Sequence, residues 1–182
     1  MDGDADRIGF VDEMGTVIKS DLVTIMIAKE VLKHHPWAKI MYDLRSSWAV
    51  KEEISVAGGI PEMCVAGHGL IKPVMRKDEV EFAGELSAHY YFKELSYTDN
   101  ADKALVNVLQ MMSESGQKIS ELIKPFDRYF ATGEINFEVD DPKAKIDEIA
   151  KTVEGGERLH LDGLSVEFED WWFNLRTSYF RA

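Results

Sequence analysis

A chain of 182 residues, 45% hydrophobic and 30% charged, has the composition of a soluble globular protein with one good-sized domain or two small ones, which excludes a disordered or fibrous chain. With 33 acidic residues against 21 Lys and Arg, its net charge of −12 excludes a broad nucleic-acid or anionic-membrane surface, since both need clustered cations. An anionic ligand must then be met by a local cationic pocket rather than by the overall field.

Residues 8 to 18, IGFVDEMGTVI, place apolar side chains at near-alternating positions on either side of a turn containing Gly15, which predicts a strand, a tight turn and a second strand. A helical period follows from Asp21 to His35, with Leu22, Ile25, Met26, Ala28, Val31 and Leu32 on one face and Pro36 closing it. His34 and His35 read as favourable cations at the negative end of that helix. AKIMYDL (38 to 44) is a short apolar run, and a helical stretch from about Ser47 ends at Gly58-Gly59. EMCVA (62 to 66) reads as a strand and HGLIKPVMRK (68 to 77) as a helix in which Pro73 sits awkwardly unless it starts late. EVEFAGEL (79 to 86) is strand-like again. Strands alternating with helices predict an α/β, three-layer domain with a mixed, mostly parallel sheet.

After Asn100 the pattern is helical through about Leu122, and Lys124-Pro125 marks a candidate linker. Beyond it EINFEV (134 to 139) alternates like a strand, Asp140-Asp141-Pro142 opens a helix to about Val153, and two short strands around Asp162-Gly163 precede a strand at WWFNLR. This order predicts a small α+β domain over 126–182, after a domain at 19–125 and an opening segment at 1–18. No stretch reaches the roughly 20 apolar residues of a membrane span, and no apolar signal segment opens the chain. Cys64 is the single cysteine; in its apolar setting it reads as a buried, inert thiol that fits a cytoplasmic protein.

Two segments carry chemistry. In Asp2-Gly3-Asp4-Ala5-Asp6-Arg7 three carboxylates alternate in a short loop and can converge on one hard divalent cation, which prefers oxygen ligands. Arg7 puts a phosphate-seeking fork beside them. An EF-hand is excluded, because Arg7 takes the position that needs glycine and no entering helix precedes the loop. In Gly84-Glu85-Leu86-Ser87-Ala88-His89, directly after a predicted strand, a carboxylate, a hydroxyl and an imidazole can meet sugar hydroxyls at the strand end where an open α/β sheet offers a crevice. Each segment alone is also compatible with a solvated polar loop.

Together and in this order they carry a resemblance. DGDADR is similar to the metal loop, and GELSAH to the sugar-binding loop, of the α-D-phosphohexomutases, the phosphomannomutase/phosphoglucomutase family. AGHGLIKPVM (66 to 75) is similar to the family's Gly-His segment, and YDLRSS resembles the strand end that presents a basic residue, here Arg45. The resemblance implies interconversion of hexose 1-phosphate and hexose 6-phosphate through a hexose 1,6-bisphosphate intermediate or activator, with one Mg²⁺ held by Asp2, Asp4 and Asp6. It implies catalytic roles for Arg7, Arg45, His68 and His89, and substrate contacts from Arg45, Lys72, Gly84, Glu85, Ser87, His89, Arg176 and Ser178. Glu85 and Ser87 would grip the sugar's O3 and O4.

The phosphoserine of the family lies in a domain ahead of the metal loop, and no serine here stands in a Ser-His-Asn-Pro context. The chain is therefore expected to supply metal and sugar binding without the phosphoryl donor, to be inactive alone, and to self-associate through exposed edges. The alternative is a non-catalytic sugar-phosphate-binding or regulatory paralogue. At the other end, Arg176 and Ser178 match the family's phosphate loop, whereas Tyr179 and Phe180 replace small polar residues.

Overall fold

The computed structural model describes residues 1–177, except for the side chain of His68. By its contacts the chain divides into two compact units, Met1–Ala131 and Thr132–Ala182.

In the first unit the opening hairpin forms as expected: β1 (Phe10–Val11) pairs antiparallel with β2 (Val17–Ile18). Its turn is held by Asp12, whose Oδ1 accepts from the amides of Met14 and Thr16 at 2.9 and 2.8 Å, and Gly15 takes the φ of 87° that the reversal needs. Helix α1 (Ser20–His34) then leads into β3 (Lys39–Asp43), α2 (Trp48–Val56), β4 (Ile60–Cys64), α3 (His68–Asp78) and β5 (Phe82–Gly84). β3 pairs parallel with both β4 and β5. The chain returns through β6 (Tyr90–Phe92) and β7 (Thr98–Asp99), both antiparallel, to give the order β4-β3-β5-β6-β7. The sheet is mixed, with pairings divided evenly rather than mostly parallel, because after Gly84 the chain reverses in a short turn instead of crossing over by a helix.

Alternation along the strands sends Ile40, Tyr42, Phe82, Tyr90 and Phe92 to one face, where they share a core with α1, α2 and α4 (Ala101–Ser115). Met41, Ala83 and Tyr91 face the other way and pack with Ile71 and Met75 of α3. This is the three-layer α/β arrangement predicted from the sequence. Helix α3 keeps Pro73 in its interior and starts at His68, so it loses one amide donor toward the carbonyl four residues back. The long helix expected through Leu122 stops at Ser115: Gly116, at φ 67°, caps it, and the chain resumes as α5 (Ile119–Ile123).

The hairpin packs on the domain that follows, with Ile8, Phe10 and Ile18 buried in the same core as α1. Lys124-Pro125 does not release the chain. Lys29 Nζ stands 4.8 Å over the ring of Phe126, Arg128 reaches Glu52 and Glu53 at 2.6 and 2.9 Å, and the Tyr129 hydroxyl donates to Glu52 at 2.7 Å.

The second unit holds α6 (Pro142–Thr152), whose start is capped by Asp141 accepting from the Ala144 amide at 3.0 Å, as the Asp-Asp-Pro sequence predicts. Strands β8 (Glu157–Leu159), β9 (Leu164–Glu167) and β10 (Trp172–Leu175) form an antiparallel sheet of order β10-β9-β8. The strand predicted over 134–139 does not form. Its alternation of Ile135, Phe137 and Val139 is real, but among the described residues no neighbouring strand takes up its backbone groups, and its residues are exposed.

Candidate active site

The C-terminal ends of the parallel strands β3, β4 and β5 set out the segments singled out in the sequence: Asp43-Leu44-Arg45 at the end of β3, Gly67-His68 after β4, and Gly84-Glu85 at the end of β5. An open sheet presents its ligand crevice at these ends. The loop after β5 closes on itself, with the Glu85 amide donating to the His89 carbonyl at 3.0 Å and the Ala88 amide to the Glu85 carbonyl at 3.1 Å. The carbonyl of Ala88 also accepts from the amide of Ile8 at 3.2 Å, which fastens this loop to the one opening the chain.

In that opening loop, Asp2, Asp4 and Asp6 offer carboxylate oxygens within 4.8 Å of one another. Arg7 lies on Asp2, with Nε 2.6 Å from Oδ2. Its hydrogen bond holds the Asp2 carboxyl below the usual range and raises the guanidinium reciprocally. His89 joins the two loops: Nε2 stands 3.5 Å from Oδ2 of Asp6, while Nδ1 meets the Ser87 hydroxyl at 2.9 Å and Oε2 of Glu85 at 3.5 Å. The acidic trio and the Glu/Ser/His loop thus occupy one place on the molecule.

Two buried carboxylates brace this place. Glu85, 2% exposed, accepts from the Gly67 amide and from the Tyr91 hydroxyl, each at 2.6 Å. Burial and then that bond to Glu85 push the Tyr91 phenol far up. Asp43 is fully buried and takes the Arg45 backbone amide and Nε at 2.9 Å on one oxygen. On the other it takes the Arg45 Nη2 and, at 3.3 Å, the Leu86 amide. The guanidinium of Arg45 and the backbone of the loop after β5 are therefore positioned by a single side chain.

Most of the anticipated residues converge here, with differences. Both oxygens of Glu85 are engaged by protein donors, so in this structure it braces the loop rather than presenting acceptors. Lys72 donates to Asp99 at 2.8 Å and stands 5.6 Å over the Tyr91 ring. Gly84 matters for closeness: a Cβ there would collide with Thr24 of α1. His68 opens α3 beside Gly67. Arg176 belongs to the second unit, 3.4 Å from Glu134 and 3.9 Å from Asp162, and Ser178 lies outside the described residues. Sequence reasoning missed Asp43, Tyr91 and Asp99. Asp43 could have been found, as an acid closing an apolar strand two residues before a basic one needs a buried partner.

Residues 19–129 match the model of the phosphoglucomutase/phosphomannomutase alpha/beta/alpha domain III. The chain belongs to the phosphoglucomutase/phosphomannomutase family. It is 46% identical over 177 residues to a phosphomannomutase of Methanocaldococcus jannaschii, covering 97% of this chain and 39% of that protein. It is 36% identical over 180 residues to the phosphohexose mutases of Xanthomonas campestris pv. campestris, covering 97% and 40%. Among solved structures, a phosphoglucomutase/phosphomannomutase family protein from Burkholderia thailandensis superposes with a TM-score of 0.87 at 31% identity, over 98% of this chain and 39% of that one. A putative phosphomannomutase from Thermus thermophilus shares the fold, with a TM-score of 0.74 at 18% identity over 97% and 39%. This phosphohexomutase-family chain thus spans about two fifths of the length of the relatives it matches. Among its described residues no helix is long and apolar enough to cross a membrane.

Proposed function

We propose that the chain is the metal- and sugar-binding portion of a phosphohexomutase that interconverts the 1- and 6-phosphates of mannose or glucose through a hexose 1,6-bisphosphate. The observation that carries this reading is the 3.5 Å approach of His89 to Asp6, which joins the acidic loop to the Glu/Ser/His loop. Asp2, Asp4 and Asp6 fit a hard dication, being oxygen donors already gathered within 4.8 Å of one another. When bound there, Mg²⁺ supplies charge neutralisation to a phosphoryl group.

Phosphoryl transfer is mostly positioning and charge stabilisation, so the remaining work falls to fixed cations and proton carriers. Arg7 and Arg45 supply forks for phosphate oxygens, the second held in register by Asp43. His89, with Ser87 on one ring nitrogen, carries a proton to or from the sugar hydroxyl that gains or loses the phosphoryl group. Ser87 offers a hydroxyl to the sugar, and Glu85 joins it once a ligand draws one of its oxygens from Gly67 or Tyr91. His68 opens α3, and Lys72 of the same helix donates to Asp99. The serine that donates phosphate is assigned to a part of the protein beyond these residues.

Calorimetric titration of this chain with mannose 1-phosphate and glucose 1-phosphate, with and without Mg²⁺, tests the reading. Binding should strengthen with Mg²⁺, and Asp4→Asn should weaken the Mg²⁺ dependence by about tenfold or more, the scale on which site ligands act. Absence of binding to the chain, together with absence of mutase activity in its full-length gene product primed with glucose 1,6-bisphosphate, would falsify it. Sugar binding without mutase activity in that full-length product selects a non-catalytic binding protein.

A further inference from the structure

We propose that Asp6, His89 and Asp99 form a second cation site, distinct from the aspartate trio though sharing Asp6 with it, that takes a transition-metal ion such as Zn²⁺ in preference to Mg²⁺. The three residues offer ligand atoms within 4.8 Å of one another, and Nε2 of His89 lies 3.5 Å from Oδ2 of Asp6. Donors bound to tetrahedral zinc at about 2.0–2.1 Å stand roughly 3.4 Å apart, so the His89–Asp6 edge already has the right length. Asp99 supplies the third donor, its carboxylate lying within 4.8 Å of the other two ligand atoms, and three protein donors leave a fourth position for water. An imidazole nitrogen in the set is what separates the two sites: the trio offers oxygen alone and suits Mg²⁺, whereas nitrogen with carboxylates suits zinc.

The surroundings match what an ion-binding histidine needs. Its other ring nitrogen faces the Ser87 hydroxyl at 2.9 Å and the buried Glu85 carboxylate at 3.5 Å, and such a partner fixes ring orientation and raises ligand basicity. Glu85 is itself fixed by Gly67 and Tyr91, and the rings of His89 and Tyr91 stack at 6.1 Å between centroids. Lys72 donates to Oδ1 of Asp99 at 2.8 Å and holds that carboxylate in place. The side chains of His89 and Asp99 are 15% and 13% exposed, so the ion would be held in a partly sheltered position. Because Asp6 serves both sites, filling this one takes a ligand from the trio and occupies the ring nitrogen that the proposed proton transfer uses. Zn²⁺ should therefore antagonise Mg²⁺.

The test is competition for zinc chloride between this 182-residue protein and a chromogenic chelator, repeated with Co²⁺ by visible spectroscopy. The expected result is one ion bound with micromolar or tighter affinity and intense tetrahedral Co²⁺ bands. His89→Ala and Asp99→Asn should weaken binding by about tenfold or more, Asp4→Asn should leave it unchanged, and His34→Ala and His160→Ala serve as surface controls. Should His89→Ala lose its circular dichroism signal, His89→Gln preserves the shape and removes the ligand. Failure to bind zinc, equal binding by the His89 variants, or loss of binding in Asp4→Asn, which places the ion on the trio, overturns the proposal. His89-dependent zinc binding in a protein indifferent to Mg²⁺ would sustain this site and remove the trio from the functional reading instead.

Discussion

At the scale of single residues, the site rests on Asp43 more than on any group exposed at its mouth. A carboxylate with no solvent exposure is tolerable only if its charge is matched and its oxygens are bonded, and Arg45 with the Leu86 amide provides both. The exposed Arg7–Asp2 pair differs: water competes for both partners, so it orients the loop while adding little to stability. Asp43→Ala takes away the carboxylate that Arg45, whose side chain is 21% exposed, and the Leu86 amide both bond. Removing one partner of a buried pair costs about 3–5 kcal/mol, and the partial exposure of Arg45 sets the expectation near the low end, about 3 kcal/mol. Urea unfolding should show this as a lower midpoint with an unchanged slope. Asp43→Asn, which keeps the shape, should lose less stability and yet weaken phosphosugar binding by a similar factor. If both variants unfold and bind like the wild type, Asp43 is not the brace described.

At the scale of elements, α1 lies so close to the end of β5 that glycine is required there. A Cβ built on Gly84 would stand 2.6 Å from Cγ2 and 2.9 Å from Cβ of Thr24, against a fully buried strand. Gly84→Ala should cost about 1–3 kcal/mol by overpacking, and Thr24→Ala should return part of that loss in the double variant. Additive losses in thermal melts would show that the two do not touch. This contact also shows what the sequence made legible. The period of α1, the cap at Asp141 and the two motif loops could be read locally, because each is specified by neighbours in the chain. The approach of Thr24 to Gly84, the pairing of Lys72 with Asp99 and the burial of Asp43 could not, because they depend on which strands become neighbours. Tyr90-Tyr91-Phe92 is a strong strand former hidden by the polar loop abutting it, and the antiparallel return it makes brings Asp99 to the site. Segment 134–139 shows the converse: alternation predicts a strand only where a partner strand is at hand.

At the scale of the whole molecule, the two units differ in how much they bury. The first has apolar cores on both faces of its sheet, while among the described residues of the second only Leu164, Ser165 and Val166 are buried. Small units with little buried surface are marginal, so calorimetry should resolve a broad transition at lower temperature for the second unit and a sharp one for the first. The first transition should depend on acid through the anchors of residues 126–129. Burial pushes Glu52 and Glu53 upward, but hydrogen bonds from Tyr129 and Arg128 to Glu52, and from Lys29 and Arg128 to Glu53, more than offset it and leave both below the ordinary glutamate range. Carboxyls lowered by folding hold fewer protons folded than unfolded, so their contribution is complete above an unfolded value near about 4.3 and is lost as pH falls through their folded values. The melting temperature of the first transition should fall on acidification below about pH 5. Arg128→Met should lower it at neutral pH, and the gap between variant and wild type should shrink across the same acid window. A gap that stays constant from neutral to acid pH would mean that Arg128 stabilises the unit through its packing rather than through the two glutamates.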